Sequence, residues 1–262
     1  MFFSNKFLLS SKLITLSLAM VSPQNIWASD SGFDSYSKDT ELIIGAGFMY
    51  RSSIYVEAKD EVSFYPSIDA YWGPVFFSDY KVGSYFAGNN NWALSLSYGL
   101  DNQEDLERES SALLKDMPTL KNVFVASIKG EIHHDLGDFT TTFSIDTSNE
   151  HQGKIIELGY SYPWISNKHS FSLEFNASWI SKEVSQYYYG VQLDSSVVNR
   201  PYYQPSNALN LSYGVNYDYA LSANQFLFAS VYLNQLSDEI KNSPIVEKAE
   251  SHALLFGFIY KF

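Results

Sequence analysis

The sequence predicts an all-β fold, a transmembrane antiparallel β-barrel of the outer-membrane kind, from three observations. Segments of near ten residues alternate apolar side chains with small or polar ones. Such a period of two places each set on its own face of a sheet. Aromatic residues make up 17% of the chain and charged residues only 18%, below the quarter usual for soluble domains. The chain ends Phe256-Gly-Phe258-Ile-Tyr260-Lys-Phe262, with an aromatic at every second position and phenylalanine last.

Residues 1–28 read as a secretory signal. Lys6 and Lys12 form the basic region, and Leu13, Ile14, Leu16, Leu18, Met20 and Val21 the apolar one, with Ala28 as the cleavage residue. Cleavage would take the formal charge from −12 to −14, because two lysines and no acid are lost. A chain so acidic disfavours nucleic acid as a partner, since phosphate binding needs a basic surface. Without cysteine there is neither a disulfide scaffold nor a lipoprotein anchor. Residues 29–40 are polar and read as a flexible lead-in, and 41–262 as the barrel. No run in the barrel region approaches 18 apolar residues, so crossing by helices is excluded.

The barrel strands follow in order. The first part of the region offers 41–50, 63–71, 75–79 and 81–87, interrupted by Gly73-Pro74 and Gly83. Pro66 sits awkwardly inside the second of these, because proline cannot donate to a ladder. Next comes 91–100, where Trp92, Leu94, Leu96 and Tyr98 alternate with Ala93, Ser95 and Ser97. The segments 121–133, 139–147 and 154–163 repeat the pattern. It is cleanest in 169–182, where Phe171, Leu173, Phe175, Ala177 and Trp179 alternate with Ser172, Glu174, Asn176 and Ser178. The last three are 207–219, 224–236 and 252–262. The count is twelve, with ten as the alternative, and strands of this length span hydrocarbon when tilted. The gaps alternate. Those at 88–90, 134–138, 164–168 and 220–223 are short. Those at 101–120, 183–206 and 237–251 are long, and 148–153 is modest and polar. With the C-terminus in the periplasm, every short gap falls on that side, as barrels of this class require.

A soluble periplasmic β-sandwich is the competing fold. It would have to bury the charge on the non-aromatic face, where Lys129, Glu131, Glu157 and Glu174 lie. A barrel lumen accepts those groups. Tyr187–Tyr189, Tyr202, Tyr203 and the tryptophans Trp72, Trp92, Trp164 and Trp179 read as interfacial girdle residues.

Candidate chemistry is sparse. His133, His134, His151, His169 and His252 do not have the spacing of a converging metal site. Serines are abundant, but there is no Gly-x-Ser-x-Gly elbow, so an outer-membrane esterase is the weakest alternative. No cofactor motif is present. The acids Asp101, Glu104, Asp105, Glu107, Glu109 and Asp116 either solvate a loop or hold divalent cations bridging lipopolysaccharide. With Leu106, Leu113, Leu114 and Met117, that loop is expected to form a short helix or fold over the mouth.

Ordered along the chain are Gly45-Ala-Gly47, Tyr55, Glu57, Pro66, Tyr71, Phe76-Phe77, Leu96-Ser-Tyr-Gly99, Leu114–Met117 and Tyr188-Tyr-Gly-Val191. They are followed by Leu236-Ser-Asp238 and Asn242-Ser-Pro-Ile-Val246. This succession over residues 41–262 resembles the MltA-interacting protein (MipA/OmpV) family. Two departures stand out. Glu57-Ala-Lys-Asp60 replaces the family's glycine and serine, and Asn102, Gln103 and Glu104 precede Arg108 where an arginine usually comes sooner. The resemblance implies an outer-membrane barrel without enzymatic activity that acts as a scaffold or envelope-maintenance protein joining a murein hydrolase to a murein synthase. A porin-like small-solute or ion channel is the alternative. Trp164, Ile165, His134 and Asp135 are then candidate periplasmic contacts. Lys129, Glu131, Glu157 and Glu174 are candidate lumen residues. Phe258, Tyr260 and Phe262 are the expected signal to the barrel-assembly machinery. Outer-membrane lipid and lipopolysaccharide are the expected surroundings.

Overall fold

The computed structural model describes residues 40–262 apart from 102–107 and 109. The expected signal segment, all of the lead-in but Thr40, and the loop acids Glu104, Asp105, Glu107 and Glu109 therefore lie outside the described residues.

Twelve antiparallel strands form a closed barrel in which each pairs with its sequence neighbours and β12 returns to β1. They are β1 (Glu41–Arg51), β2 (Glu61–Trp72), β3 (Val75–Ser78), β4 (Lys81–Asn89), β5 (Trp92–Leu100) and β6 (Phe124–His134). The second half comprises β7 (Gly137–Asp146), β8 (Lys154–Ser166), β9 (His169–Ile180), β10 (Ala208–Ala220), β11 (Gln225–Gln235) and β12 (Glu250–Lys261). Helices α1 (Lys182–Tyr189) and α2 (Asp238–Lys241) lie in the β9–β10 and β11–β12 loops.

The sequence alternation sorts side chains as expected. Phe48, Phe64, Leu96, Ile128, Leu158, Phe175, Val231 and Phe256 project from the outer surface and are exposed in the isolated chain. A continuous apolar girth of this kind has no place in water, where apolar patches rarely exceed a few hundred Å². Closing the sheet also pairs the wall's backbone groups without water, as lipid demands, except along part of one edge of β2. Aromatics concentrate near the short turns. Trp72, Trp92 and Trp164 are exposed there, and Trp164 stacks on Phe171 at 5.7 Å.

Some boundaries move. β8 runs on to Ser166 because Trp164 pairs with Phe171 and Ile165 with Ser170. Trp164 and Ile165 are thus strand residues, and the turn is confined to Asn167 and Lys168, with Asn167 at a φ of 54°. The expected strand start at 121 moves to Phe124, because Leu120 and Val123 are buried at the loop end. Tyr187–Tyr189 are not girdle residues. They lie in α1, where Tyr188 and Tyr189 are buried.

The least regular quadrant is β2–β4. β3 has only four residues and pairs with β2 solely at Ala70–Trp72. The rest of β2, Glu61 to Asp69, pairs with β1 alone among the described residues. Pro66 belongs to that stretch. Its carbonyl accepts a hydrogen bond from the Tyr80 hydroxyl at 3.2 Å and so points away from β1. In an extended strand a residue's N–H and C=O point to the same side, so the missing donor of Pro66 faces the unpaired edge. That is where a sheet tolerates proline.

Candidate functional site: a capped lumen

The loop end of the barrel is built by residues that carry no strand periodicity. Loops 52–60, 101–123, 181–207 and 236–249 leave the ring at well-separated points yet meet in one apolar core. Tyr55, Leu114, Met117, Val184, Tyr188, Ile240 and Ile245 are buried in it. Wall residues Ile155, Ile180 and Ala208 close it from below. Loops rooted around a ring can share one core only by crossing its mouth. Each fully buried large apolar side chain contributes roughly 1.5–3 kcal/mol, so this cap is a structured body.

Polar bonds fix its register. The Tyr55 hydroxyl donates to the Tyr188 carbonyl at 3.1 Å, and Ser243 donates to the Tyr189 carbonyl at 2.6 Å. The Val56 amide donates to Ile245 at 3.0 Å and that of Glu247 to Ile54 at 2.7 Å. Tyr203 donates to the Glu239 carbonyl at 2.8 Å. Arg200, a buried guanidinium, grips both oxygens of Asp116 at 2.8 and 2.6 Å. It also donates to the carbonyls of Leu113 at 2.6 Å and Ser195 at 2.7 Å. The Arg200 bond holds the Asp116 carboxyl below the usual aspartate value. At the neighbouring rim Asp146 accepts the amides of Ser148, Asn149, His151 and Gln152. This wraps the short 147–153 loop around one carboxylate. Buried His151 bridges Asp146 at 3.7 Å and Asp101 at 3.4 Å.

Below the cap the lumen is polar. Lys129, Glu131, Glu157 and Glu174 all lie on the inward face of their strands. Lys129 and Glu131 form an ion pair at 2.7 Å. Glu174 is 1% exposed and is bonded by the Asn216 amide. The Tyr232 hydroxyl lies 2.7 Å from the Asn216 oxygen and 3.3 Å from Glu174. Gly214 makes room for this arrangement. A Cβ there would stand 2.5 Å from the Tyr232 ring, so the tyrosine can lie across the sheet only over glycine. Serine pairs continue the network, Ser127 with Ser144 at 2.7 Å and Ser161 with Ser172 at 3.1 Å. Beside Glu174 a cavity of about 180 Å³ opens between β2, the β3–β4 turn, β10 and β11. Sequence reading missed Asn216, Asp218 and Tyr232. Their inward phase in β10 and β11 was the available signal.

At the turn end, His134 and Asp135 sit at the β6–β7 turn, where the His134 ring accepts the Leu136 amide at 3.1 Å. Trp164 faces outward while Ile165 faces inward. These residues do not form one cluster with the lumen acids. Phe258 and Phe262 project outward from the last strand, and Tyr260 packs on Phe262 at 4.6 Å.

With the barrel and its cap in place, comparison with known proteins places the chain. The family model described as MltA-interacting protein MipA matches residues 44–262. The chain belongs to this family. The MltA-interacting protein of Escherichia coli strain K12 is 21% identical over 229 residues, covering 87% of this chain and 79% of that protein. The putative outer membrane protein YiaT of the same strain is 21% identical over 226 residues, covering 85% and 92%. Among solved structures, the COG4313 outer membrane channel from Pseudomonas putida F1 is 12% identical with a TM-score of 0.38, covering 87% of this chain and 98% of that one. So loose an overlay carries no argument about function. The family match and the lipid-facing girth agree: this family member is a β-barrel of the outer membrane.

Proposed function

We propose that this chain is a non-enzymatic envelope protein, closed to general diffusion, that works as a scaffold through its periplasmic rim. The observation that carries the reading is the cap, whose apolar core crosses the loop-side mouth. A barrel sealed in this way is poorly suited to bulk solute flow and well suited to present a fixed ring of short turns. The E. coli relative is named for interacting with MltA, and a murein enzyme is accordingly the proposed partner here. His134, Asp135 and Ile165 are the proposed contacts, with Trp164 anchoring that rim in the interface. Phe258, Tyr260 and Phe262 are proposed to present the terminal strand to the assembly machinery.

The test is co-purification of murein hydrolases and synthases with the full-length protein from mildly solubilised envelopes. Recovery that drops when His134 and Asp135 are both changed to alanine supports the scaffold. No murein enzyme above background overturns it. Steady conductance of the purified barrel in planar bilayers would overturn closure and favour a small-solute channel.

A further inference from the structure

The wall is incomplete in one place, and the lumen cavity lies behind it. Above the β3–β4 turn, the edge of β2 from Glu61 to Asp69 has no strand partner on that side among the described residues. The cavity is lined by residues from both faces of this edge, inward Tyr65 and Asp69 as well as outward Pro66 and Ile68. A space bounded only by the lumen would touch the inward set. This one wraps around the edge toward the surface that faces lipid.

The Tyr80 side chain reaches across the notch, beside the Ser78 to Asp69 bond at its foot. The Tyr80 hydroxyl crosses from the β3–β4 turn to the Pro66 carbonyl at 3.2 Å. The turn that carries it is strained. Asp79 and Tyr80 both adopt positive φ, 50° and 58°. Two-residue turns of this type favour Asn-Gly, because a bulky residue in the left-handed region crowds its Cβ against the following carbonyl. Strain of this kind is retained where the surroundings hold it and clusters at clamps and switches. The hydroxyl can leave the Pro66 carbonyl by rotation of the Tyr80 side chain without breaking any strand pairing, which makes the contact a movable latch.

The cavity's chemistry selects an occupant. Phe77, Phe228, Leu255 and Ile259 supply apolar lining, while the charged side chains that line it are all acidic, among them Asp69, Glu174 and Asp218. Asp69 is bonded by Ser78 at 2.5 Å and Glu174 by Asn216 and Tyr232. Asp218 is 6% exposed, lines the cavity, and makes no hydrogen bond or ion pair among the described residues. A buried carboxylate without a partner is costly, and a cation entering the cavity would relieve it. By a measure on which one water needs about 10–15 Å³, the volume suffices for a head group and the first part of a chain.

We propose that the notch between β2 and the β3–β4 turn is a lateral portal from the surrounding lipid, latched by Tyr80. It admits a single-chain amphiphile whose amine head pairs with Asp218. This inference is independent of the scaffold reading, since it concerns the wall and not the periplasmic rim.

The test uses the full-length barrel in phosphatidylcholine nanodiscs and a dodecylamine carrying a photoreactive diazirine on its chain, with the matching dodecanol as comparator. Labelled peptides are mapped by mass spectrometry, and heat-shifted gel mobility confirms that each variant is folded. The expected result is labelling of inward positions in the 226–232 segment by the amine. Asp218→Asn should lower that labelling about tenfold without changing labelling by the alcohol. Tyr80→Ala should raise its initial rate several-fold. Labelling confined to outward-facing residues would overturn the portal. Amine labelling unchanged by Asp218→Asn would overturn the head-group assignment, and a rate unchanged by Tyr80→Ala would overturn the latch.

Discussion

Ile155 and Ile156 are neighbours in β8, yet the first is 2% exposed within the cap core and the second is 39% exposed on the outer face. The same side chain is thus stabilised in two ways a few ångströms apart. Ile156 is solvated by hydrocarbon, which fits itself around any shape. Ile155 is packed against other residues of the chain, which cannot. The wall should therefore tolerate changes of apolar shape, and the cap should respond to each one as a protein interior does.

The sharpest way to break this comparison is to delete the same atoms in both regions. Ile240 is fully buried in the cap, and Ile240→Ala should cost the cap about 2–5 kcal/mol through lost transfer energy and a residual cavity. Ile156→Ala should cost less, because lipid refills the space and the cavity component vanishes. Limited proteolysis of the loops in folded barrels reads the first effect, and urea unfolding in lipid the second. Equal losses would mean that the cap is not a packed core.

Arg200 tests the cap's polar side. Arg200→Ala leaves the Leu113 and Ser195 carbonyls without their donor, at a cost of roughly 1–3 kcal/mol. Hydrogen exchange should rise in 111–118 and 193–203 and stay unchanged in β10–β12. Arg200→Lys should rescue little, since an ammonium cannot reproduce the planar fork that holds both Asp116 oxygens. Full rescue by lysine would show that charge alone, without geometry, holds the two loops.

Gly214 brings the comparison to the inward side of the wall. Gly214→Ala places a methyl against the Tyr232 ring, and overpacking of this kind costs about 1–3 kcal/mol. Because the lumen beside it is open, the ring has somewhere to go, so the lower end is expected. A crystal or cryo-EM structure of the variant should show Tyr232 displaced from Asn216 and Glu174 with the strand register intact. An unmoved ring would mean that the sheet itself had yielded.

The same contrast explains what could be read from sequence. Strands such as β9 and β10 were legible because each residue's environment is set by its parity: Phe175 meets lipid and Glu174 the lumen. Pro66 was harder, since parity says nothing about which edge lacks a partner, and the answer lies in the shortness of β3. The cap was least legible. Tyr188 and Tyr189 look like any interfacial tyrosines until residues far away in sequence, Tyr55 and Ile245 among them, are folded against them. Asp116 belonged to an acidic run that suggested solvation or cations, yet its partner is Arg200, more than eighty residues away. Long-range pairing leaves no local period to detect.

The smallest expected effect is the titration of that pair. Asp116 is exposed, so water and salt screen its charge, but Arg200 still lowers its pKa from the ordinary 3.8. A carboxyl whose folded pKa is depressed contributes stability above its unfolded value and loses it as pH falls through the folded one. The bridge should therefore be indifferent to pH between neutrality and about 4, and weaken only in stronger acid. The carboxyl-carbon NMR signal of Asp116 should titrate with a midpoint below 3.8 in the folded barrel. In Arg200→Ala the midpoint should return toward the ordinary value. A midpoint that does not move on losing the arginine would mean that the guanidinium is held by the Leu113 and Ser195 carbonyls alone. The cap would then be joined at this point by backbone geometry, without help from charge.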